Sequence, residues 1–186
     1  MDPFFWKPRW TGAGYFIWLG YNQRMAVDPE ELRTTMRFWT TGVTIVSAQL
    51  GDVRHGMTVN SFTSLSLDPP LVLVSLERAT RTHRLVMQAG YFGVSILGGD
   101  QQETSDRFAG RMTEHLDRFE DLPVYGLVSG APLLEAGLAG LDCRVLSAFE
   151  AGTHTVFIGE VLAVHRNESH APLVYYNRDY RDLGTA

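Results

Sequence analysis

The sequence predicts a mainly β protein, a closed or partly closed antiparallel barrel with helical additions. Three observations carry this reading. Short runs rich in β-branched and aromatic residues recur along the chain, bounded by glycine, proline or aspartate turn signals. Helical patterning is confined to three short segments. No internal repeat and no low-complexity tract is present.

The elements follow in order. Residues 1–24 stand apart, crowded with aromatics such as Phe4, Trp6, Trp10, Phe16 and Trp18 without strand or helix periodicity. They read as an aromatic-rich N-terminal extension, with Met25 as the natural start of a single domain over residues 25–186. In "DPEELRTTM", Asp28 fits an N-cap, Pro29 the first helical position and Glu31 the third, a capping-box arrangement. Leu32 and Met36 then share a face.

"VTIVSAQL" is a strand, Gly51-Asp52 a turn, and residues 53–61 the returning partner. "LVLVSL" (71–76) is a buried strand after the Pro69-Pro70 break. "THRLVMQAG" is a helix that Gly90 ends. "YFGVSIL" is a strand and "DQQETSDRFAG" a short helix. Residues 111–137 read as loop. "LDCRVLSAFE" and "THTVFIGEVLAVHR" form a long hairpin around Ala151-Gly152, and "PLVYYNRDYRDL" supplies a last strand with a polar tail.

Length and composition suit one soluble domain with a sizeable core: 186 residues, 45% hydrophobic and 20% charged. A net charge of −5 argues against nucleic acid as a partner and requires a local basic patch for any anionic ligand. The one cysteine, Cys143, lies in strand context and reads as a small buried hydrophobe. Six histidines show no metal-ligand spacing, so no metal site is expected. No segment reaches the roughly 18 apolar residues of a membrane span, and a cytoplasmic location is expected by default.

Chemistry concentrates in a few places. "HGMTVNSFTSLSLDPPLVLVSL" puts Thr58, Asn60, Ser61, Thr63, Ser64 and Ser66 into a β stretch. Buried hydroxyls need partners. They are either solvated along an edge strand or form a ligand wall, where short side chains let a flat ring approach the backbone. "ERATRTHR" sets Arg78, Arg81 and Arg84 at a helix start, either a solvated basic turn or a phosphate site. His154 opens an apolar strand, as a structural residue or a hydrogen-bond donor. Tyr175 and Tyr176 point to opposite faces. There is no Rossmann fingerprint, P-loop or nucleophile elbow, so any dinucleotide is held without a Rossmann unit.

The segments "DPEELRTTMRFWTTGVTIVSA", "HGMTVNSFTSLSLDPPLVLVSL", "RFAG", "GTHTVFIGEV" and "PLVYYNRDY" occur in the order expected of the flavin reductase family. The chain resembles the short-chain NAD(P)H:flavin oxidoreductases that serve two-component monooxygenases, over about residues 28–183. The resemblance implies a split β-barrel of the FMN-binding type, FMN or FAD as cofactor, NADH or NADPH as cosubstrate, a homodimer and a monooxygenase partner. It implies flavin contacts from Thr58, Val59, Asn60, Ser61, Phe62, Thr63, Ser64 and Leu65, with Ser75 and Leu76 on the next strand. Arg81 matches a basic position near the flavin phosphate, and Phe108 a motif near the ligand cleft. His154 matches a histidine associated with nicotinamide binding, taken here as the catalytic candidate. Tyr175, Tyr176, Asn177 and Arg178 match a loop closing over the dinucleotide. One departure stands out: the family often has Asp before this histidine, and here it is Thr153. A flavin-binding carrier or redox sensor on the same barrel, without catalysis, is the alternative function.

Overall fold

The computed structural model describes residues 27–112, 117–167, 171–181 and 183. The expected boundary at residues 24 and 25 lies outside them. The chain divides into two units, one ending at Met36 and one running Arg37–Ala186. In the first, α1 (Pro29–Thr35) starts as the sequence predicts. Asp28 caps it, its carboxylate accepting from Glu30 N at 2.8 Å, and Pro29 sits at the first turn. Leu32 and Met36 are exposed, so this helix buries none of its own residues.

The second unit carries the sheets. Its strands are β1 (Thr41–Gly42), β2 (Thr44–Leu50), β3 (Val53–Val59), β4 (Thr63–Leu67), β5 (Pro70–Glu77) and β6 (Tyr91–Ile96). These are followed by β7 (Val124–Tyr125), β8 (Leu133–Leu134), β9 (Ala139–Ala151), β10 (His154–Arg166), β11 (Val174–Tyr176) and β12 (Asp179–Arg181). Helices α2 (Arg81–Ala89) and α3 (Gln102–Phe108) are inserted among them. The main sheet has seven strands in the order β3-β2-β6-β9-β10-β5-β4, every neighbour antiparallel. A three-stranded sheet, β1-β11-β12, and the small β7–β8 pair complete the set.

The order of the main sheet has a geometric consequence. β3 and β4 are its two outer strands, yet only residues 60–62 join them. From Val59 to Thr63 that stretch spans at most about 14 Å. Laid flat, seven strands would hold their outer members about 29 Å apart. The sheet must therefore roll until its edges nearly meet, leaving an open seam because β3 and β4 are not paired. This is a split barrel. Bulges in β10 at Ile158/Gly159 and Val161/Ala163 help it bend. At Gly159 a side chain would collide with the Phe92 ring, so the strand passes directly over a core aromatic.

Two cores result. The barrel interior holds Val46, Val59, Val74, Leu76, Phe92, Cys143 and Phe157, closed by Leu85 and Val86 of α2. Each such side chain contributes about 1.5–3 kcal/mol when buried. A second cluster gathers Val43, Ile45, Leu97, Phe108, Phe119 and Leu173. Successive residues of β2 face opposite ways, so Ile45 serves one core and Val46 the other. Burial pushes the Cys143 thiol up to about 12, which leaves it an inert core residue.

Three sequence expectations are corrected. The strand read through residues 53–61 stops at Val59, and a separate strand, β4, begins at Thr63. Part of the loop over 111–137 pairs as β7 and β8. The polar tail continues as β12, so "VYYNRDYR" is a hairpin with Asn177 and Arg178 at φ 53° and 63°. Positive φ at both central residues is the geometry of a type I′ turn.

Candidate functional site

The seam between β3 and β4 divides the expected flavin wall into parts with different environments. At the end of β3, Thr58 is half-buried and its hydroxyl donates to Ser105 O at 2.6 Å. Val59 is buried in the core. Asn60 is exposed, and its amide engages no other described residue. Ser61 Oγ donates to Ser75 O at 2.8 Å and accepts from Ser75 N at 3.1 Å. This hydroxyl acts as an extra rung tying the crossing segment to β5. Phe62 packs against the barrel core. Beyond it, Thr63, Ser64 and Leu65 are exposed along the edge strand. The side chains of Thr58, Val59 and Ser61 are thus committed to the protein, Asn60 is left exposed between them, and β4 lies along an exposed edge.

Thr58 and Asn60 border a cleft of about 170 Å³, together with Val43, Ser105, Ala109, Arg111, Tyr175 and Tyr180. Tyr175 and Tyr180 are cross-strand partners of the β11–β12 hairpin, with rings edge to face at 5.5 Å. Tyr180 OH donates to Asp106 Oδ1 at 2.9 Å and lies 2.8 Å from Ser105 Oγ. Asp106 in turn pairs with Arg111 at 2.5 Å. Burial, chiefly, pushes the Tyr180 hydroxyl above its usual value, so it remains a donor at neutral pH. The cleft is large enough for one aromatic ring with a polar substituent, and its lining offers aromatic faces plus a few placed polar groups.

A second cluster surrounds the end of β5. Ser75 is half-buried, and Leu76 points into the core, leaving its backbone as the only group it can offer a ligand. Arg81 is exposed at the first position of α2, just after the cap Thr80, with no ion-pair partner among the described residues. The surroundings are cationic. His55, bonded through Nδ1 to Thr82 Oγ1 at 2.8 Å, is lowered to about 4 by burial and by Arg118, Arg81 and Arg84, with Asp117 opposing. A helix start with free N–H groups beside arginines suits an anion.

His154 begins β10, exposed, directly opposite Glu77 of β5. Its Nδ1 lies 2.9 Å from Thr153 Oγ1. It does not line the cleft, so the structure brings Thr58, Asn60 and Tyr175 together and leaves His154 with the β5–α2 cluster. Ser61 connects the two places through its bonds to Ser75. Tyr176 is half-buried, while Asn177 and Arg178 are exposed at the hairpin turn. Asn177 N donates to Arg37 O at 3.0 Å. Phe108 does not face the cleft: it is fully buried, edge to face with Phe119 at 4.8 Å. Its neighbours Ser105 and Ala109 take that role.

Sequence reasoning missed Ser105, Asp106, Arg111 and Tyr180. Two signals were available. Ser105 and Ala109 are four apart on a helix and therefore share a face. A hairpin turn at Asn177-Arg178 would have set Tyr180 opposite Tyr175.

The antiparallel split barrel thus carries a ring-sized polar cleft beside the crossing segment and, in a separate place, a basic helix start after β5. The comparisons agree with this class. The model of the flavin reductase like domain matches residues 36–184, and the chain belongs to that family. An NADH-dependent flavin reductase of Rhodococcus sp is 40% identical over 160 residues, covering 84% of this chain and 88% of its own. The reductase component of a 4-nitrophenol 4-monooxygenase/4-nitrocatechol 2-monooxygenase of Rhodococcus opacus is 38% identical over 155 residues, covering 83% and 81%. Among solved structures, the NADH:FAD oxidoreductase SgcE6 of Streptomyces globisporus C-1027 superposes with a TM-score of 0.79 at 34% identity, over 86% of this chain and 98% of that one.

Proposed function

We propose that this chain is an NADH-dependent flavin reductase that passes reduced FMN or FAD to a monooxygenase. The observation that carries the reading is the cleft itself: flavin-wall residues Thr58 and Asn60 and the dinucleotide-loop residue Tyr175 line one ring-sized space, in a chain of the flavin reductase family.

The residues present fit a flavin. Asn60 offers an amide that engages no other described residue, the crossing segment 60–62 offers backbone groups, and Arg81 offers a cation at a helix start with no ion-pair partner among the described residues. Bound flavin supplies the hydride-accepting N5, and the nicotinamide of NADH supplies the hydride at C4. The chain's part is positional and electrostatic. Tyr175 and Tyr180 present aromatic faces against which a ring is held, a proximity effect. Asn60 and the seam backbone donate to the polar edge of the ring, where charge develops on reduction. Arg81 and the first turn of α2 hold the phosphate, and His154 donates to the dinucleotide. No side chain need move a proton in the hydride step.

Large apolar side chains exposed on β4 (Leu65, Leu67) and on β9 (Leu146, Phe149) support a homodimer, which light scattering would detect. A cytoplasmic location suits a reaction fed by NADH. The deciding experiment mixes purified protein with NADH and excess FMN or FAD. Catalysed loss of NADH absorbance is expected. Its absence with both flavins and with NADPH would sink the reductase reading.

A further inference from the structure

We propose that Thr153 is a positioning residue for the reductase reaction, holding the His154 imidazole so that Nε2 faces outward as a hydrogen-bond donor to the dinucleotide. The inference rests on the reading of His154 given above.

The turn between β9 and β10 is built to place this hydroxyl. Gly152 has φ of 60° and Thr153 does not share its left-handed conformation, the pattern of a two-residue turn with glycine first. The turn is also pinned from outside, because Thr153 O accepts from Arg78 N at 3.0 Å. With the backbone fixed on both sides, Thr153 Oγ1 sits 2.9 Å from His154 Nδ1.

Carboxylates are close, but neither holds the ring. Glu77 faces His154 in register across β5, and Glu150 at the end of β9 is engaged by Arg78 at 3.2 Å. On the far face of the strand, the next residue, Thr155, meets His83 Nε2 at 2.8 Å inside the protein. Among the described residues the Nδ1 partner is the Thr153 hydroxyl.

A hydroxyl both donates and accepts, so unlike an acceptor-only carboxylate it can hold the neutral tautomer that carries its proton on Nε2. When the ring is neutral, the hydroxyl donates to Nδ1 and the ring proton stays on Nε2. When the ring is protonated, the hydroxyl turns and accepts from Nδ1–H, and Nε2 still carries its proton. Nε2 is therefore a donor in both states. A carboxylate at position 153 could only accept. It would draw the proton onto Nδ1, and Nε2 would donate only from the charged ring.

The test measures NADH KM and kcat with saturating FAD, and flavin affinity, from about pH 6 to about pH 8.5. The variants are Thr153→Val, Thr153→Ser, Thr153→Asp and His154→Ala in the full chain, with Glu77, Arg78 and Glu150 unchanged. For the native protein KM is expected to stay flat. Thr153→Val raises it about three- to tenfold at every pH, the cost of one lost hydrogen bond, with kcat and flavin affinity unchanged. Thr153→Ser restores it. Thr153→Asp gives a KM that climbs as pH rises. If His154→Ala raises KM while Thr153→Val leaves it unchanged, the positioning role is overturned and the reading of His154 survives. If His154→Ala itself leaves KM unchanged, the reading of His154 fails and takes this inference with it.

Discussion

At the scale of single residues, the hydroxyl-rich stretch separates into groups that hold the protein together and groups that engage no other described residue. Thr58 donates to Ser105 O, and Ser61 is saturated on both sides by the backbone of Ser75. Asn60, between them, has no such commitment among the described residues. Opposite outcomes follow. Ser61→Ala should lower stability by about 1 kcal/mol through the lost rung, read as a shift in denaturant midpoint. Asn60→Ala should leave that midpoint in place and weaken flavin binding, read by fluorescence quenching. Arg81→Ala should likewise weaken flavin binding with little loss of stability, and equal affinity for variant and native protein would refute the phosphate role. The sequence showed which residues were polar. It could not show which were already paired, because Ser61 finds Ser75 only after the barrel has rolled.

At the scale of elements, what was legible depended on local chemistry. α2 was readable at its C-terminal end because that signal is intrinsic, Gly90 taking the left-handed conformation at φ 72°, while its start at Arg81 behind the Thr80 cap lies one residue before the run read as helix. The break at 60–62 was unreadable because small polar residues continue the period of two straight across it. The β11–β12 hairpin left only a faint signal because its turn is Asn-Arg, with the asparagine but without the glycine that usually follows it.

Two predictions belong at this scale. His55 on β3 is lowered from an ordinary 6.5 to about 4, and burial lowers His83 on α2 in the same direction. Above about pH 6.5 His55 is neutral whether folded or not, so it costs nothing there. Between that value and about 4 the unfolded chain takes up a proton that the folded one refuses, and stability falls. The melting temperature should therefore drop across this window, with a shallower drop in His55→Asn. Gly159→Ala should destabilise by about 1–3 kcal/mol, because its methyl group meets Phe92 in a filled core. A melting temperature equal to the native one would show that the bulge yields.

At the scale of the whole molecule, the barrel class was readable from strand count and turn spacing, while the seam needed the strand order. Once β3 and β4 are known to be the outer strands, the three residues between them become the shortest link across the barrel. Surface connections elsewhere tolerate added or lost residues, since slack is taken up in solvent. Here three residues leave little slack, reaching at most about 14 Å between the strand ends. The link sets the circumference of a hoop, and each change in its length is shared by all seven strands. Insertion of two glycines after Asn60 should therefore lower the melting temperature and abolish flavin binding together, whereas the same insertion after Gly51 should do neither. Homologous chains would then vary freely in length at the β2–β3 turn and keep one length across the seam, a constraint imposed by closure and felt as strongly by a barrel that binds nothing.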